Sequence, residues 1–227
     1  PELAERARAH GAWFHVDAAY GGFAVLTARG RALLAGVGAA DSVTLDPHKW
    51  LFQPYETGCL LARDPDDLTR AFRVMPEYLQ DTELGMEHVN FGDRGLQLTR
   101  SFRALKVWLT LQVHGRRALA EAVESALELA DHAAARIREA PELTLLAEPS
   151  LSVVCFHALA LGDPARTDAW NESLQRQVVE EGTAMISSTR VRGRFSLRLC
   201  ILNHRTTRAD VDRVLDRIVT LARRGPA

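Results

Sequence analysis

The residues best suited to unusual chemistry in this 227-residue chain are its lysines. All but two of the 28 basic residues are arginines, and the two lysines are Lys49 and Lys106. A guanidinium carries charge as well as an ammonium does, but it neither forms a stable imine nor deprotonates usefully. A composition that uses arginine wherever charge alone is needed favours an amine-specific role for a remaining lysine. Lys49 lies in the run DPHKW (46–50), beside an aromatic side chain in a predicted turn.

A second candidate group is the acid at the end of the run HVD (15–17). A lysine in an aromatic-rich turn can supply a nucleophilic amine, and Asp17 at a strand end can hold a proton on a heterocyclic nitrogen. Pyridoxal 5'-phosphate requires this pair, because the lysine forms an imine with its aldehyde and the acid keeps its ring an electron sink. Strand alternation predicts that Ala19 shares the face of Asp17, where a small side chain lets the ring lie flat.

The elements that must position these residues are predicted from the periodicity of the first third of the chain. A helical pattern covers residues 3–10, and short β-prone runs follow at 13–16, 42–45 and 59–62. Helices alternating with strands, with polar residues at the strand ends, predict an α/β sheet. Ligands of such sheets bind at the carboxyl ends of the strands, which is where the Asp17 and Lys49 motifs fall.

The rest of the chain predicts an irregular stretch followed by a smaller α+β domain. Residues 76–95 have no period and contain three glycines, which is typical of a long functional loop. Helical patterns cover 96–113 and 116–140 with a break at Gly115, and a helix at 167–181 and another from Thr207 follow. Strands are predicted at 143–146, 152–157, 184–188 and 195–202. We therefore divide the chain into a domain at 1–105 and a small C-terminal α+β domain at 106–227.

Taken together, HVDAAYGG (15–22) and DPHKW (46–50) resemble the signature of the group II pyridoxal-phosphate-dependent amino-acid decarboxylases. This family includes the aromatic-L-amino-acid, tyrosine, histidine and glutamate decarboxylases. The resemblance continues through LTRSFRALKVW (98–108) and SLRL (196–199). It implies the C-terminal part of the aspartate aminotransferase-like (fold type I) large domain, followed by a small α+β domain. It also implies pyridoxal 5'-phosphate as cofactor, an L-amino acid, aromatic by preference, as substrate, and a homodimer.

The resemblance also assigns roles around the cofactor. It implies that Lys49 is the imine-forming lysine, that Asp17 pairs with the ring nitrogen, and that Ala19 lies under the ring. His48 is expected beside the cofactor, near its phosphate, with a catalytic role. Many relatives have Asn where this chain has Asp46, and the anionic side chain argues against a direct phosphate contact from it.

Two further roles fall later in the chain. The resemblance places Tyr78 on a mobile loop, where a phenol protonates the substrate carbon after carbon dioxide leaves. A phenol suits this step because it stays protonated at neutral pH. Relatives with Phe at this position tend to be aldehyde synthases, so Tyr78 favours simple decarboxylation. Arg198 resembles the arginine that binds the substrate carboxylate, for which a planar fork is well matched.

Composition excludes several other classes of function. Net charge is −1 with a pI near 6.8, and no basic block predicts nucleic-acid binding. No apolar run reaches the length of a membrane span. Cys59, Cys155 and Cys200 are isolated, which is typical of reduced thiols in a cytoplasmic protein. His15 and Asp17 could begin a metal site, but no second cluster at ligand spacing completes one, so we predict no metal.

Two alternatives to a decarboxylase stay open at this point. The chain begins with Pro1, and residues 1–48 contain no Ser/Gly-rich turn of the kind that binds a cofactor phosphate. We therefore expect the C-terminal part of an enzyme, inactive when expressed alone. The first alternative is a non-catalytic remnant or dimerisation module of such an enzyme. The second is another fold type I enzyme, such as an aminotransferase or a cysteine desulfurase.

Overall fold

A computed structural model describes residues 1–74, 89–159 and 161–225. This part of the chain divides into two compact units. The first comprises Pro1–Phe23 and Leu34–Gly115, and the second comprises Ala24–Leu33 and Arg116–Ala227. Compact units and folding domains are different divisions, so the domain boundary at 105–106 stays a prediction.

The helices and strands follow the predicted alternation. The helices are α1 Glu2–Ala9, α2 Ala28–Leu33, α3 Pro47–Trp50, α4 Pro65–Phe72, α5 Arg103–Glu139, α6 Pro164–Glu180 and α7 Arg208–Arg224. The strands are β1 His15–Asp17, β2 Ser42–Leu45, β3 Cys59–Ala62, β4 Leu143–Leu145, β5 Val153–Ala158, β6 Ser187–Val191 and β7 Arg194–Cys200. Short 3-10 turns lie at Gly22–Leu26, Val37–Ala39 and Phe91–Arg94.

The first unit contains a three-stranded sheet in the order β1-β2-β3. Strands β1 and β2 are parallel, with Asp17 opposite Thr44, whereas β3 runs antiparallel to β2. Parallel neighbours have their carboxyl ends at the same edge of a sheet, so the segments after β1 and β2 are adjacent. The predicted α/β class is confirmed here, and the strands predicted at 42–45 and 59–62 have the observed bounds.

Close packing behind this edge explains two residues of the sequence motifs. A Cβ atom on Gly22 would lie 2.1 Å from Leu45 Cδ2 and 2.9 Å from Ala18 Cβ, so only glycine fits there. The indole of Trp50 is 2% exposed and contacts the ring of Tyr20 edge-on, at 5.5 Å between centroids. Both aromatic residues are therefore packing residues that fix α3 beside β1.

The second unit is an antiparallel sheet in the order β4-β5-β7-β6, against which α6 and α7 pack. The α+β class predicted for this part is confirmed. Apolar residues of α5 beyond Gly115 recur at helical spacing and join the core, as an amphipathic helix requires. The largest fully buried side chains of this core include those of Ile137, Phe156, Leu174, Leu197 and Ile218.

Two predicted boundaries were wrong by several residues. β6 begins at Ser187 rather than at 184, and a two-residue turn at Arg192 (φ 51°) and Gly193 (φ 80°) joins it to β7. Positive φ at both central residues is the geometry that a tight hairpin prefers. Helix α5 begins at Arg103, not at 96. Its backbone is non-helical at Gly115 (φ 74°), where the break was predicted.

Among the described helices, none combines the length and the apolar character that crossing a bilayer requires.

Candidate active site

The candidate site lies at the shared carboxyl edge of β1 and β2. Asp17 is the last residue of β1, and Asp46 directly follows the last residue of β2. Helix α3 begins at Pro47, whose ring suits the first position of a helix, and it carries His48 and Lys49. The parallel pairing of two short strands thus brings together motifs that lie about thirty residues apart in the sequence.

Asp17 has its carboxylate held in one orientation. Its Oδ1 accepts a hydrogen bond from the backbone N–H of Ala19 (3.1 Å) and another from the Thr44 hydroxyl (3.2 Å). These two hydrogen bonds, with smaller contributions from the charges of His15 and Lys49, hold the pKa of Asp17 below its ordinary value of 3.8. The side chain is therefore an anion at neutral pH and can accept a hydrogen bond from a protonated nitrogen.

Lys49 has its amine in an ion pair. The Nζ atom lies 2.8 Å from Oδ2 of Asp46, and a third of the lysine side chain is exposed. Asp46 is at the N-cap position of α3, but its side chain makes no capping hydrogen bond to the helix backbone. The carboxylate contacts the lysine instead, and whether it also contacts a phosphate stays a prediction. The amine is reachable and is orientated by an acid three residues before it.

His48 is fixed by the segment that follows α3. Its Nδ1 lies 2.7 Å from the carbonyl oxygen of Thr57, and the Thr57 N–H lies 3.2 Å from the same nitrogen. Its Nε2 is 3.6 Å from Asp46 Oδ2. The ring of Tyr55 contacts the imidazole edge-on, with centroids 4.8 Å apart. The imidazole is 17% exposed, so these neighbours determine its orientation.

Ala19 lies beyond the end of β1, and the argument from strand alternation was therefore wrong. The chain turns after Asp17, and the N–H of Ala19 bonds back to the Asp17 carboxylate. What Ala19 contributes within the described residues is a backbone donor that orientates the acid. Its proposed place under a cofactor ring stays a prediction.

The other two predicted site residues are Arg198 and Tyr78. Arg198 lies on β7 of the second unit, where its Nε donates a hydrogen bond to the Ser187 hydroxyl (2.9 Å). Its role towards a substrate carboxylate stays a prediction. Tyr78 lies outside the described residues.

Sequence reasoning missed two threonines that hold the candidate site residues. Thr44 donates to Asp17, and Thr57 bonds His48 while being only 3% exposed itself. The first could have been found from the register: if two strands that each lead into an aspartate run parallel, the residue opposite Asp17 faces it. No local pattern indicates Thr57, because its contact is made by backbone atoms.

The remaining titratable groups do not suggest a metal centre. No group of three or more potential metal ligands occurs among residues 1–74, 89–159 and 161–225. Burial raises the pKa of the Cys59 and Cys155 thiols, which keeps them protonated rather than nucleophilic.

The side chains of Lys49 and Asp17 fit two functional groups of pyridoxal 5'-phosphate. An amine within reach of solvent fits its aldehyde carbon, and an ionised aspartate with a free lone pair fits its ring nitrogen. Lys106 differs in position, because it lies on α5 rather than directly after a strand of this sheet, and its Nζ donates to two backbone carbonyls. Lys49 and Asp17 are therefore the residues that could hold such a cofactor.

An α/β protein that presents a lysine amine and an ionised acid at the carboxyl edge of parallel strands belongs to the class of folds that bind a cofactor at that edge. Comparison with known proteins makes this specific. The pyridoxal-dependent decarboxylase conserved domain matches residues 1–159, and the chain belongs to that family.

Individual relatives agree with this membership. An aromatic-L-amino-acid decarboxylase of Bacillus atrophaeus is 40% identical over 225 residues, which are 97% of this chain and 47% of the relative. An L-2,4-diaminobutyrate decarboxylase of Rhizobium meliloti is 36% identical over 223 residues, which are 98% of this chain and 45% of the relative. A crystal structure of Oryza sativa TDC with PLP and tryptamine superposes with a TM-score of 0.90 at 29% identity. The superposition covers 98% of this chain and 46% of that structure's chain. The likeness confirms the fold type I assignment. The chain spans about half the length of the relatives it matches.

Proposed function

We propose that the whole protein uses pyridoxal 5'-phosphate to decarboxylate an L-amino acid with an aromatic side chain. The observation that carries the proposal is the pairing of a reachable lysine amine with an acid whose pKa is held low, at one sheet edge. The preference for an aromatic substrate is supported by the likeness to an aromatic-amino-acid decarboxylase. The likeness to a diaminobutyrate decarboxylase makes the substrate the point that most needs testing.

Each residue has a proposed role. The cofactor, when bound, supplies an aldehyde carbon and a ring that accepts the electron pair released as the carboxylate leaves. Lys49 would hold the cofactor through its amine, which would be available as a nucleophile once it is released from the Asp46 carboxylate. Asp17 would hold a proton on the ring nitrogen. His48, held by Thr57, is the catalytic residue that we place beside the cofactor.

Two roles rest on the resemblance alone. We propose that Arg198 binds the substrate carboxylate and that Tyr78 returns a proton to the substrate carbon. Ala19 is proposed to leave room for the ring beside Asp17.

We also propose a homodimer in the cytoplasm. The dimer is supported by exposed apolar side chains on the first half of α5, and the location by three free cysteines in the described chain.

The test is cofactor binding and carbon dioxide release by the whole protein. Purified protein should take up pyridoxal 5'-phosphate, show its visible absorbance, and lose that band on borohydride reduction. Carbon dioxide release should be measured with tryptophan, tyrosine, phenylalanine, glutamate and 2,4-diaminobutyrate as separate substrates. Formation of an oxo acid without carbon dioxide would indicate an aminotransferase. Absence of both cofactor and turnover would indicate a non-catalytic module, and would contradict the proposal.

Replacing Tyr78 with phenylalanine should move the product from amine towards aldehyde. Removing the phenolic proton donor leaves the electron-rich substrate carbon unprotonated for longer, so that oxygen can react with it. Oxygen uptake, ammonia and aldehyde should all rise while amine falls. Tyr55→Phe provides the matched control, since it removes a tyrosine hydroxyl but keeps the ring that contacts His48. Unchanged amine formation and no oxygen uptake in Tyr78→Phe would remove Tyr78 from the site.

A further inference from the structure

The second lysine, Lys106, has a defined place in the first unit. It lies on α5, and its Nζ donates hydrogen bonds to the carbonyl oxygens of Pro54 (3.0 Å) and Glu56 (3.2 Å). These two carbonyls flank Tyr55 in the chain. We call this contact, of Lys106 with the carbonyls of Pro54 and Glu56, the Lys106 clamp.

The same face of α5 contacts this segment at two other points. Arg103 donates from Nη2 to the Glu56 carboxylate, and the Thr110 hydroxyl lies within 3.3 Å of both side-chain polar atoms of Gln53. Residues 103, 106 and 110 are separated by three and four positions, which places them in one row on a helix. Segment 53–56 is therefore held by one helical face.

The clamped segment leads directly to His48. Thr57, the next residue, bonds His48 Nδ1 through its backbone, and its hydroxyl donates to the carbonyl of Glu56 (2.8 Å). Tyr55, between the two clamped carbonyls, contacts the imidazole edge-on although its own side chain is 84% exposed. Two of the three neighbours that orientate His48, Thr57 and Tyr55, thus depend on the conformation of the segment that Lys106 holds, whereas Asp46 lies outside it.

We propose that Lys106 is a positioning residue, which fixes segment 54–57 and through it the orientation of the His48 imidazole beside Lys49. The proposal rests on the proposed function only where it treats His48 as a cofactor residue. The positional effect itself is independent of any cofactor. An ammonium suits the task because its three donors can reach two carbonyls, while the Glu56 carboxylate is bound by Arg103.

The test is the rate at which diethyl pyrocarbonate modifies His48 in the whole cofactor-free protein, followed by peptide mass spectrometry. The reagent attacks unprotonated imidazole, so the reaction is run at about pH 8, above the ordinary pKa of histidine. Lys106→Met should raise the rate at His48 by about fivefold or more, as loss of hydrogen bonds to a charged donor predicts. His15, whose Nδ1 is 2.7 Å from the Ser42 hydroxyl outside this segment, should change less than about twofold.

Two further variants distinguish a specific effect of Lys106 on His48 from a general destabilisation of the protein. Lys106→Arg should restore the slow rate, because Arg31 and Arg63 each hold two backbone carbonyls in this chain. Arg63→Met removes the double contact with the carbonyls of Gly38 and Ala40, and it should leave His48 unaffected. An equal rise in Arg63→Met, or no rise in Lys106→Met, would overturn the proposal.

A folding check accompanies the measurement. If Lys106→Met does not fold, Lys106→Gln, which retains one donor, replaces it, and an intermediate rise at His48 is expected. An unchanged rate in a folded Lys106→Gln would equally overturn the clamp. A protein that binds no pyridoxal 5'-phosphate but shows the expected labelling pattern would refute the proposed function and leave the clamp standing.

Discussion

Replacing Lys49 with arginine should abolish covalent attachment of pyridoxal 5'-phosphate and reduce decarboxylation below detection. The guanidinium keeps the positive charge that Asp46 binds at 2.8 Å, so the fold should survive. It cannot act as the nucleophile, because a guanidinium stays protonated and forms no stable imine. Borohydride reduction followed by peptide mapping should show a phosphopyridoxyl group on Lys49 in the wild type and none in Lys49→Arg.

Lys106→Arg is the matched control for that experiment. Lys106 is the only other lysine in the sequence, and its amine already bonds two carbonyls. The adduct on Lys49 should therefore persist in Lys106→Arg. An adduct on Lys106 in the wild type would make the central assignment wrong.

Asp17→Asn should lower the decarboxylation rate by roughly three orders of magnitude, equivalent to about 4 kcal/mol at the transition state. The amide retains an oxygen that can accept from the Ala19 N–H and the Thr44 hydroxyl, so local structure should be preserved. What is lost is the negative charge that keeps a proton on the ring nitrogen. Covalent attachment at Lys49 should remain, which separates this variant from Lys49→Arg.

Asp41→Asn is a suitable control, because Asp41 accepts from the Phe14 N–H (2.7 Å) at the opposite, amino end of β2. Its rate should stay within about threefold of wild type, as expected away from the reacting atoms. The pH profile gives a second check. Since the pKa of Asp17 lies below 3.8, its carboxylate stays ionised as the pH falls to about 5, and loss of rate there should come from another group. An Asp17→Asn rate within about threefold of wild type would contradict the pairing.

Sequence patterns predicted the site residues whose role depends on side-chain chemistry. They were less successful for residues whose role depends on backbone geometry. Lys49 and Asp17 could be chosen because an amine and an acid at strand ends have few equivalents, and the parallel register brings their segments together. The argument from alternation for Ala19 was wrong, since it assumes a strand that in fact ends at Asp17. The contact of Thr57 with His48 involves a backbone carbonyl, which carries no residue-specific signal.

The fold shows the same division. Strands β2 and β3 and the break at Gly115 follow directly from apolar runs and from glycine. The register of the β6–β7 hairpin depends on a two-residue turn at Arg192 and Gly193, where an arginine adopts positive φ. Periodicity does not reveal that conformation, because it results from pairing with β7.

The first half of α5 has two faces that cannot move separately. One carries Lys106 and its neighbours in the row at 103 and 110, and the other carries Leu105 and Trp108, which are 40% and 55% exposed. Successive residues of a helix are about 100° apart around its axis, so a rotation of the helix about that axis that buries Trp108 against a neighbouring surface also displaces Lys106. If Lys106 positions His48 as we propose, the rotation of this helix about its axis also determines the orientation of the His48 imidazole, although the exposed face does not contact it.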